Sequence, residues 1–395
     1  MPSTLSLIGN MFTDARQRAL AIGGWATMFA LGMAAGPIVG GALVANFWWG
    51  AVFLIAIPIS VLVLAAAPKL LPEFRTDAGR PDLLSVSLSL AAMLPTIYAI
   101  KHVAVHGADV QACAAVLLGG SSAVAFVRRQ LRMEKPLLDM GLFTDRAFST
   151  ALTVLLVGLI GFGGMMFLIT QHLQLVEELS PTTAGLWMGP PALAMLIGGI
   201  GAPLLATRVP PGNVMASALA LSLVGYAFLA LAGADSRSSV VAGCAFLYLG
   251  LGVIAALGTD IVVGAAPPER SGSAAALSET VQELGIAAGV ALLGSLTTAI
   301  YRTTIETPTD TPGSVTAPYA DSLSGAASVA DRLPAGALRP AQDAFTSGFN
   351  AAALIAGIAI AGAAFACFRM LRHIRPIGDA EPEPVASTRV GGEDR

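Results

Sequence analysis

Long uncharged stretches alternate with short charged loops along almost the whole chain. Residues 19–68 contain no Asp, Glu, Lys or Arg, and a helix that crosses a bilayer needs about 20 apolar residues. The stretch is too long for one such helix, and Trp48 and Trp49 lie near its midpoint, where aromatic residues are typical of a membrane–water interface. The pattern therefore predicts two spans, at about 20–45 and about 48–67.

Further uncharged windows follow along the rest of the sequence. They lie at 83–100, 110–127, 147–176, 180–207, 209–234, 238–259, 284–301 and 344–368. Together with the first two spans they predict ten transmembrane helices. The expected fold class is all-α, a polytopic transmembrane helix bundle.

The basic residues predict the orientation of this bundle. An even number of spans puts both termini on one side. If that side is the cytoplasm, 17 of the 22 Lys and Arg residues lie in cytoplasmic loops and 5 lie outside. Because cytoplasmic loops are enriched in Lys and Arg, we expect cytoplasmic termini and a multi-pass protein of the cell (inner or plasma) membrane.

Composition narrows the class of function. Charged residues make up 12% of the chain and hydrophobic residues 55%, whereas soluble domains carry about 25% charged residues. No basic face for nucleic acid is expected. Cys113, Cys244 and Cys367 each stand alone in apolar sequence, so we expect neither a metal site nor a disulfide. The sequence has no phosphate-binding GxxxxGK[ST] and no hydrolase motif, so we expect no enzyme and no cofactor.

An ordered set of motifs resembles one transporter family. The first predicted span carries Gly32-x3-Gly36-Pro37-x2-Gly40-Gly41, which is similar to the antiporter signature on the fifth helix of drug:proton antiporters of the major facilitator superfamily. Three later segments resemble the last helices of the fourteen-helix branch of that family, the EmrB/QacA type. They are Thr259-Asp260, Ala266-Pro267-Pro268-Glu269-Arg270-Ser271-Gly272 and Ser278-Glu279-Thr280-Val281-Gln282-Glu283-Leu284-Gly285.

The resemblance implies a domain organisation. It runs from the end of the family's helix 4 to its helix 14, so the first four helices are expected to be lacking. Residues 1–68 would hold the end of helix 4 and two spans of an incomplete N-terminal bundle, and 69–135 two extra central spans. Residues 136–376 would form a six-helix C-terminal bundle with an external loop at 302–346, and 377–395 a disordered cytoplasmic tail.

The resemblance also implies a function. It indicates a proton-coupled secondary active transporter that exports amphipathic, often cationic, drugs or small molecules across the plasma membrane. Its partners would be a small-molecule substrate, protons and the lipid bilayer. The alternative is an N-terminally truncated, transport-inactive membrane protein, or half of a split transporter.

Acidic residues at membrane depth are the candidates for proton coupling or substrate binding, because a carboxylate there is costly unless it is paired, hydrated or protonated. Glu279 and Glu283 are four apart and share a helix face. If the helix begins near Ser273, Glu283 lies about 15 Å along its axis, near the bilayer midplane and buried. Asp260 is the third acid, with a snorkelling or capping role as the alternative. A plain N-terminal helix charge is the alternative for Glu279.

Two further positions keep both a functional and a structural interpretation. Trp187 is either a contact for an apolar cation or a packed or lipid-facing side chain. His172 closes a predicted span and is expected at the external interface, with a proton relay as the alternative.

The glycine motif has a physical interpretation of its own. Gly32, Gly36 and Gly40 are four residues apart, and glycines at that spacing give a helix a flat face on which another backbone can pack closely. Pro37 removes a helical hydrogen bond and favours a bend. Gly41 completes the motif. Packing alone, and a seal of the substrate path against leak, both remain open.

Overall fold

The computed structural model describes residues 2–12, 14–70, 82–107, 109–133, 136, 138, 140–234, 236–267, 271–306, 313–334, 336–372, 374 and 376. Over these residues the chain is helical and contains no strand. The helices are α1 (Pro2–Met11), α2 (Ala15–Asn46), α3 (Ala51–Leu54), α4 (Ala56–Leu70), α5 (Leu83–His106), α6 (Val110–Gln130), α7 (Arg146–Gln171), α8 (Pro181–Trp187), α9 (Gly189–Ala206), α10 (Pro211–Ala230), α11 (Arg237–Val253), α12 (Thr259–Gly264), α13 (Ser271–Thr304), α14 (Gly313–Asp321), α15 (Leu323–Ser328) and α16 (Leu338–Met370).

Two π-helical turns interrupt this pattern. His172–Val176 extends α7, and Ile254–Gly258 joins α11 to α12. A π turn inserts an extra residue into a helix and so rotates the residues around it. Both turns lie within long apolar helical segments.

Nine helical segments within the described part of the chain are long and apolar enough to cross a membrane. They confirm the predicted all-α polytopic fold. The predicted span at about 20–45 is not among the nine. It lies within α2, a helix of 32 residues and about 48 Å, so this span remains a prediction.

Aspartates fix where several long helices begin. Asp14, Asp82, Asp109 and Asp145 each precede a helix, and each side chain accepts a hydrogen bond from a backbone N–H two or three residues further on. Such N-caps satisfy donors that the first helical turn leaves unpaired, and their negative charge is favourable at the positive end of the helix dipole. The caps explain why these helices begin directly after an aspartate.

The main core lies in a bundle formed by α7 to α13 and α16, here called the C-terminal bundle. The main cluster of buried hydrophobic side chains runs from Leu142 to Leu371. Glycines bring α7 and α13 together, because a Cβ added at Gly289 would lie 2.8 Å from the backbone nitrogen of Gly164. Small residues of this kind allow close helix packing in lipid, where apolar burial drives little association.

Helices α1 and α2 pack along one side of the C-terminal bundle. A Cβ at Gly23 would lie 3.1 Å from the carbonyl oxygen of Gly199 on α9, and one at Gly41 would lie 3.0 Å from the Cα of Thr182 on α8. Helix α2 therefore runs antiparallel to α8–α9. We call the end near Gly23 the inner end of the molecule and the end near Gly41 the outer end.

One glycine of the motif packs closely in the described structure and three do not, and packing alone and a seal of the substrate path both stay predictions. Gly41 is buried against α8, whereas a Cβ at Gly32, Gly36 or Gly40 would meet no described atom within 4 Å. The reason is geometric, since these three glycines face away from α8–α9. Helix α2 continues through Pro37 without a break.

Helices α5 and α6 form a hairpin beside the bundle. The Arg129 guanidinium donates to both carboxylate oxygens of Asp82 at 3.0 and 3.1 Å. The Gln130 amide donates to the Ser85 hydroxyl at 2.7 Å. The Arg129 and Ser85 hydrogen bonds hold the pKa of the Asp82 carboxyl well below its usual range. This contact joins the start of α5 to the last turn of α6, at the end of the hairpin opposite its turn.

The segment predicted as an external loop at 302–346 contains helices where it is described. Helices α14 and α15 lie within 302–346, and Tyr319 is fully buried. Its hydroxyl donates to the carbonyl of Ala337 at 2.9 Å, and the Tyr301 hydroxyl donates to the carbonyl of Tyr319 at 2.7 Å. These bonds dock the segment on α13. The predicted tail at 377–395 lies outside the described residues.

Candidate functional site

A small cavity lies between α2 and the C-terminal bundle. Its volume is about 20 Å³, which is room for about one water molecule. Side chains from α2, α7, α9, α11, the second π turn and α13 line it. They are Trp25, Leu159, Phe162, Met195, Leu251, Ala255, Glu279, Gln282, Glu283 and Ile286. The cavity is mostly apolar, and its two acids both come from α13.

Glu279 is the buried acid of this cavity. Its side chain is 6% exposed, and its Oε2 atom is buried without a hydrogen-bond partner among the described residues. Burying an ionised carboxylate is costly unless a cation or several donors face it. Glu279 therefore needs a proton or a positively charged ligand as its counterpart.

Glu283 lies at the rim of the cavity, and its predicted burial is wrong for the described chain. Thr280, Glu283 and Ala287 are exposed together along one stripe of α13. A step of four residues turns a helix by about 40° and advances it by about 6 Å. Glu279 therefore lies in the wall of the cavity, whereas Glu283 lies at its exposed edge.

Asp260 is paired across the interface between α2 and α12. Its Oδ1 atom accepts a hydrogen bond from Arg18 Nε at 3.1 Å, and the two side chains are 9% and 19% exposed. A Cβ at Gly264 would lie 2.8 Å from Arg18 Nη2, so the guanidinium crosses directly over that residue. Asp260 is thus neither a snorkelling side chain nor a helix cap. It forms an ion pair that joins α2 to the bundle at the inner end.

Trp187 lies outside the cavity. It is at the end of α8 and 38% exposed, with the Arg237 guanidinium 5.8 Å from its ring centroid. Arg237 also forms an ion pair with Glu177 at 2.9 Å. This cluster belongs to the outer end, so the structure does not bring Trp187 together with Glu279 and Glu283.

His172 is buried, and its expected place at the interface is wrong. The side chain is fully buried and stacks on Phe349 at a centroid distance of 5.2 Å. Neither ring nitrogen has a hydrogen-bond partner within the described part of the structure. The π turn that begins at His172 places this residue inside the bundle, and the sequence carries no local signal for such a turn.

Sequence reasoning missed two site residues on α2. Trp25 lines the cavity, and Arg18 pairs with Asp260, 242 positions away in sequence. The only sequence signal for the pair was Asp260 itself, since an acid at membrane depth is expected to have a partner. Among the described residues, no group of three or more His, Cys, Asp or Glu could hold a metal ion.

Packed membrane helices that enclose a cavity with a buried carboxyl are the arrangement of a secondary transporter. The family comparison agrees with this class. The model of the Major Facilitator Superfamily matches residues 1–290, and the chain belongs to that family. The family resemblance found in the sequence is thereby confirmed, while its fourteen-helix branch and the lack of four helices stay predictions.

Several curated relatives are similar to most of the chain. The multidrug efflux pump LfrA of Mycolicibacterium smegmatis is 42% identical over 92% of this chain and 73% of its own length. The methyl viologen resistance protein SmvA of Salmonella typhimurium is 30% identical over 85% of this chain and 68% of its own. A probable actinorhodin transporter of Streptomyces coelicolor is 32% identical over 75% and 54%.

Proposed function

We propose that this protein exports amphipathic, cationic small molecules across the plasma membrane in exchange for protons, as a member of the fourteen-helix drug:proton antiporter branch. The observation that carries the proposal is the buried Glu279 carboxyl at a cavity between α2 and the C-terminal bundle. Glu283 lies one turn further along the same helix, at the rim.

The chemistry follows from the surroundings of Glu279. Its unpartnered Oε2 atom is stable beside a bound proton or beside a cation that replaces it. Binding of one therefore disfavours binding of the other at the same carboxyl. This competition is what a proton:cation exchanger requires, and Glu283 gives an incoming cation a first contact at the exposed edge.

The walls of the cavity support an amphipathic substrate. Trp25 and Phe162 provide aromatic rings beside the two acids, and a cation over an aromatic face is attracted by its quadrupole. The names of LfrA and SmvA describe a multidrug efflux pump and methyl viologen resistance, and methyl viologen is an aromatic dication. These relatives favour the same substrate class for this chain.

Transport also requires the cavity to open, because drug-sized ligands need pockets of about 300–1,000 Å³ and this one has about 20 Å³. The Arg18–Asp260 ion pair and the contact of Gly41 with Thr182 hold α2 against the bundle at both ends. We infer that the described conformation is closed. Alternating access would part α2 from the bundle at one end at a time.

The test is dye efflux from cells that lack their own efflux pumps and express this chain. Cells preloaded with ethidium, a cationic dye, should lose it faster than vector controls. Glu279→Gln should reduce this difference at least tenfold, an effect of about 1.4 kcal/mol, because the amide cannot exchange a proton. Glu283→Gln should weaken export less, because Glu283 lies at the rim.

Glu306→Gln is the matched control, since Glu306 is an exposed acid far along the chain from the cavity and the change is chemically identical. All variants are compared at equal amounts in the membrane. Efflux that is unaffected by Glu279→Gln would overturn the role of Glu279. No efflux above the vector level from the unaltered chain would favour the transport-inactive alternative.

A further inference from the structure

A second, larger crevice lies between the α5–α6 hairpin and the C-terminal bundle. Its volume is about 580 Å³, and none of its lining residues belongs to the cavity around Glu279. Helix α5 forms one wall with Ile97 and Lys101, α7 and α13 form the floor, and α15 closes the outer side. The crevice is therefore a site of its own near the outer end of the molecule.

Among the described residues that line the crevice, the charged one is a cation. Lys101 is exposed and takes part in none of the ion pairs or hydrogen bonds recorded between described residues. It lies near the end of the apolar segment Leu83–Val103. A lysine at that position buries its aliphatic stem and holds its ammonium group at the level of the lipid phosphates.

Polar groups without partners lie next to this cation. The Thr297 hydroxyl is buried, with the residue 2% exposed, and it has no hydrogen-bond partner in the described structure. A buried hydroxyl without a partner is unfavourable. Gln171 also lines the crevice, and its side-chain amide makes no recorded hydrogen bond. The site thus offers a positive charge and an amide group that no described residue is seen to satisfy.

Below these groups the crevice is apolar. Ile97, Phe167 and Val290 line it. Gly294 lies on its floor, and a Cβ added at Gly294 would lie 3.5 Å from the Phe167 ring. A larger side chain at this position would therefore fill part of the crevice. The hairpin around the crevice exposes apolar side chains such as Leu94. The hairpin that forms one wall of the crevice therefore also carries an exposed apolar surface suited to lipid tails.

We propose that this crevice binds an anionic phospholipid. Its phosphate pairs with Lys101, its ester oxygens and glycerol accept from Gln171, and an acyl chain lies along Phe167 and Val290. Charge complementarity to Lys101 favours an anion, and the apolar lining of the crevice favours a lipid over a free anion in water. The bound lipid would fill the gap between the hairpin and α13. The proposal does not depend on the export function.

Native mass spectrometry of the purified, delipidated full chain tests it. The chain is titrated with palmitoyl-oleoyl phosphatidylglycerol, with phosphatidylcholine of the same acyl chains, and with glycerol phosphate alone. We expect phosphatidylglycerol to bind best. Lys101→Gln should weaken its binding about fivefold, the effect of one lysine near an anionic lipid surface, and Lys101→Arg should retain it.

Two further variants separate the outcomes. Arg128→Gln removes a cation from an exposed position on α6 of the same hairpin, away from the crevice, and should leave binding unchanged. Gly294→Leu fills the floor and should weaken both phospholipids, with thermal unfolding measured to confirm that the variant is folded. Equal binding of phosphatidylglycerol to the Lys101→Gln variant would overturn the proposal. Equal binding of glycerol phosphate would show a site for free anions instead.

Discussion

Replacing Asp260 with asparagine should open the inner end of the molecule. The change leaves Arg18 with most of its surface covered and without its counter-charge. The ion pair connects α2 to α12, so it contributes to the closed arrangement and is lost when these helices part. Asp260→Asn should therefore shift the equilibrium toward a conformation in which α2 is separated from the bundle at this end.

The size of the shift can be worked out from the burial of the pair. Removing one partner of a fully buried ion pair costs about 3–5 kcal/mol, whereas exposed pairs contribute about 0–1 kcal/mol. Arg18 is 19% exposed and Asp260 9%, so the pair lies between these limits. We take about 2 kcal/mol, which raises the opening equilibrium constant about 30-fold.

Cysteine labelling at Ala275 measures this opening. Ala275 is fully buried and packs with Ile22 of α2 and Val263 of α12, with Ile8 of α1 against the same cluster, so Ala275→Cys reacts with a water-soluble maleimide only when the helices at this end part. Exposed Cys113 is replaced by serine, and Cys244 and Cys367 are buried. When opening and closing are faster than labelling, the labelling rate follows the open population and should rise about 30-fold with Asp260→Asn.

Two comparisons make the result specific. The combined exchange Arg18→Asp with Asp260→Arg restores opposite charges and should return the labelling rate toward that of the parent. Asp343→Asn removes a carboxylate from an exposed ion pair, in which the Asp343 side chain is 60% exposed and the Arg339 side chain 50%. This variant should leave the labelling rate unchanged. A labelling rate within twofold of the parent in the Asp260→Asn variant would refute the reasoning.

Two further variants test the packing and the hairpin. Gly289→Leu should lower the melting temperature, because a Cβ there meets the Gly164 nitrogen at 2.8 Å and overpacking costs about 1–3 kcal/mol. The control is Gly362→Leu, at a glycine with no described atom within 4 Å of its Cβ position. Equal melting temperatures of the two variants would contradict the tight contact. Asp82→Asn should weaken the hairpin by removing the Arg129 contact. Because the folded-state pKa of Asp82 is lowered, its contribution is present above about pH 4 and is lost as pH falls through the folded-state pKa. Asp82→Asn should therefore lower the melting temperature equally at pH 8 and pH 6, and a loss confined to one of these would contradict the assignment.

The spans could be predicted because their causes are local. Apolar windows of sufficient length, aspartate caps such as Asp145 and the aromatic break at Trp48 and Trp49 each depend on residues near one another in sequence. The helices begin and end within a few residues of those signals, apart from α13 and α16, which continue well beyond the uncharged windows. Residues with high helix propensity, such as alanine, extend a helix past the apolar core of a membrane.

The site was predictable only in part because its geometry depends on distant contacts. Glu279 and Glu283 could be found as acids at membrane depth, but which of them is buried depends on where α2 lies against α13. The partner of Asp260 comes from a helix 242 positions away. The burial of His172 depends on a π turn, and the exposure of Gly32 depends on which helices cover that side of α2.

The central claim is that the Glu279 carboxyl exchanges a proton for a cationic substrate. The most direct measurement uses the purified chain in liposomes that contain a pH-sensitive dye and are acidic inside. When ethidium is added outside, it should enter the liposomes while protons leave, so the internal pH should rise at the same time. The Glu279→Gln variant should show no such pH change, whereas the Glu306→Gln variant should show it in full. Ethidium uptake by the unaltered chain with no movement of protons, or unchanged proton movement in the Glu279→Gln variant, would contradict the account.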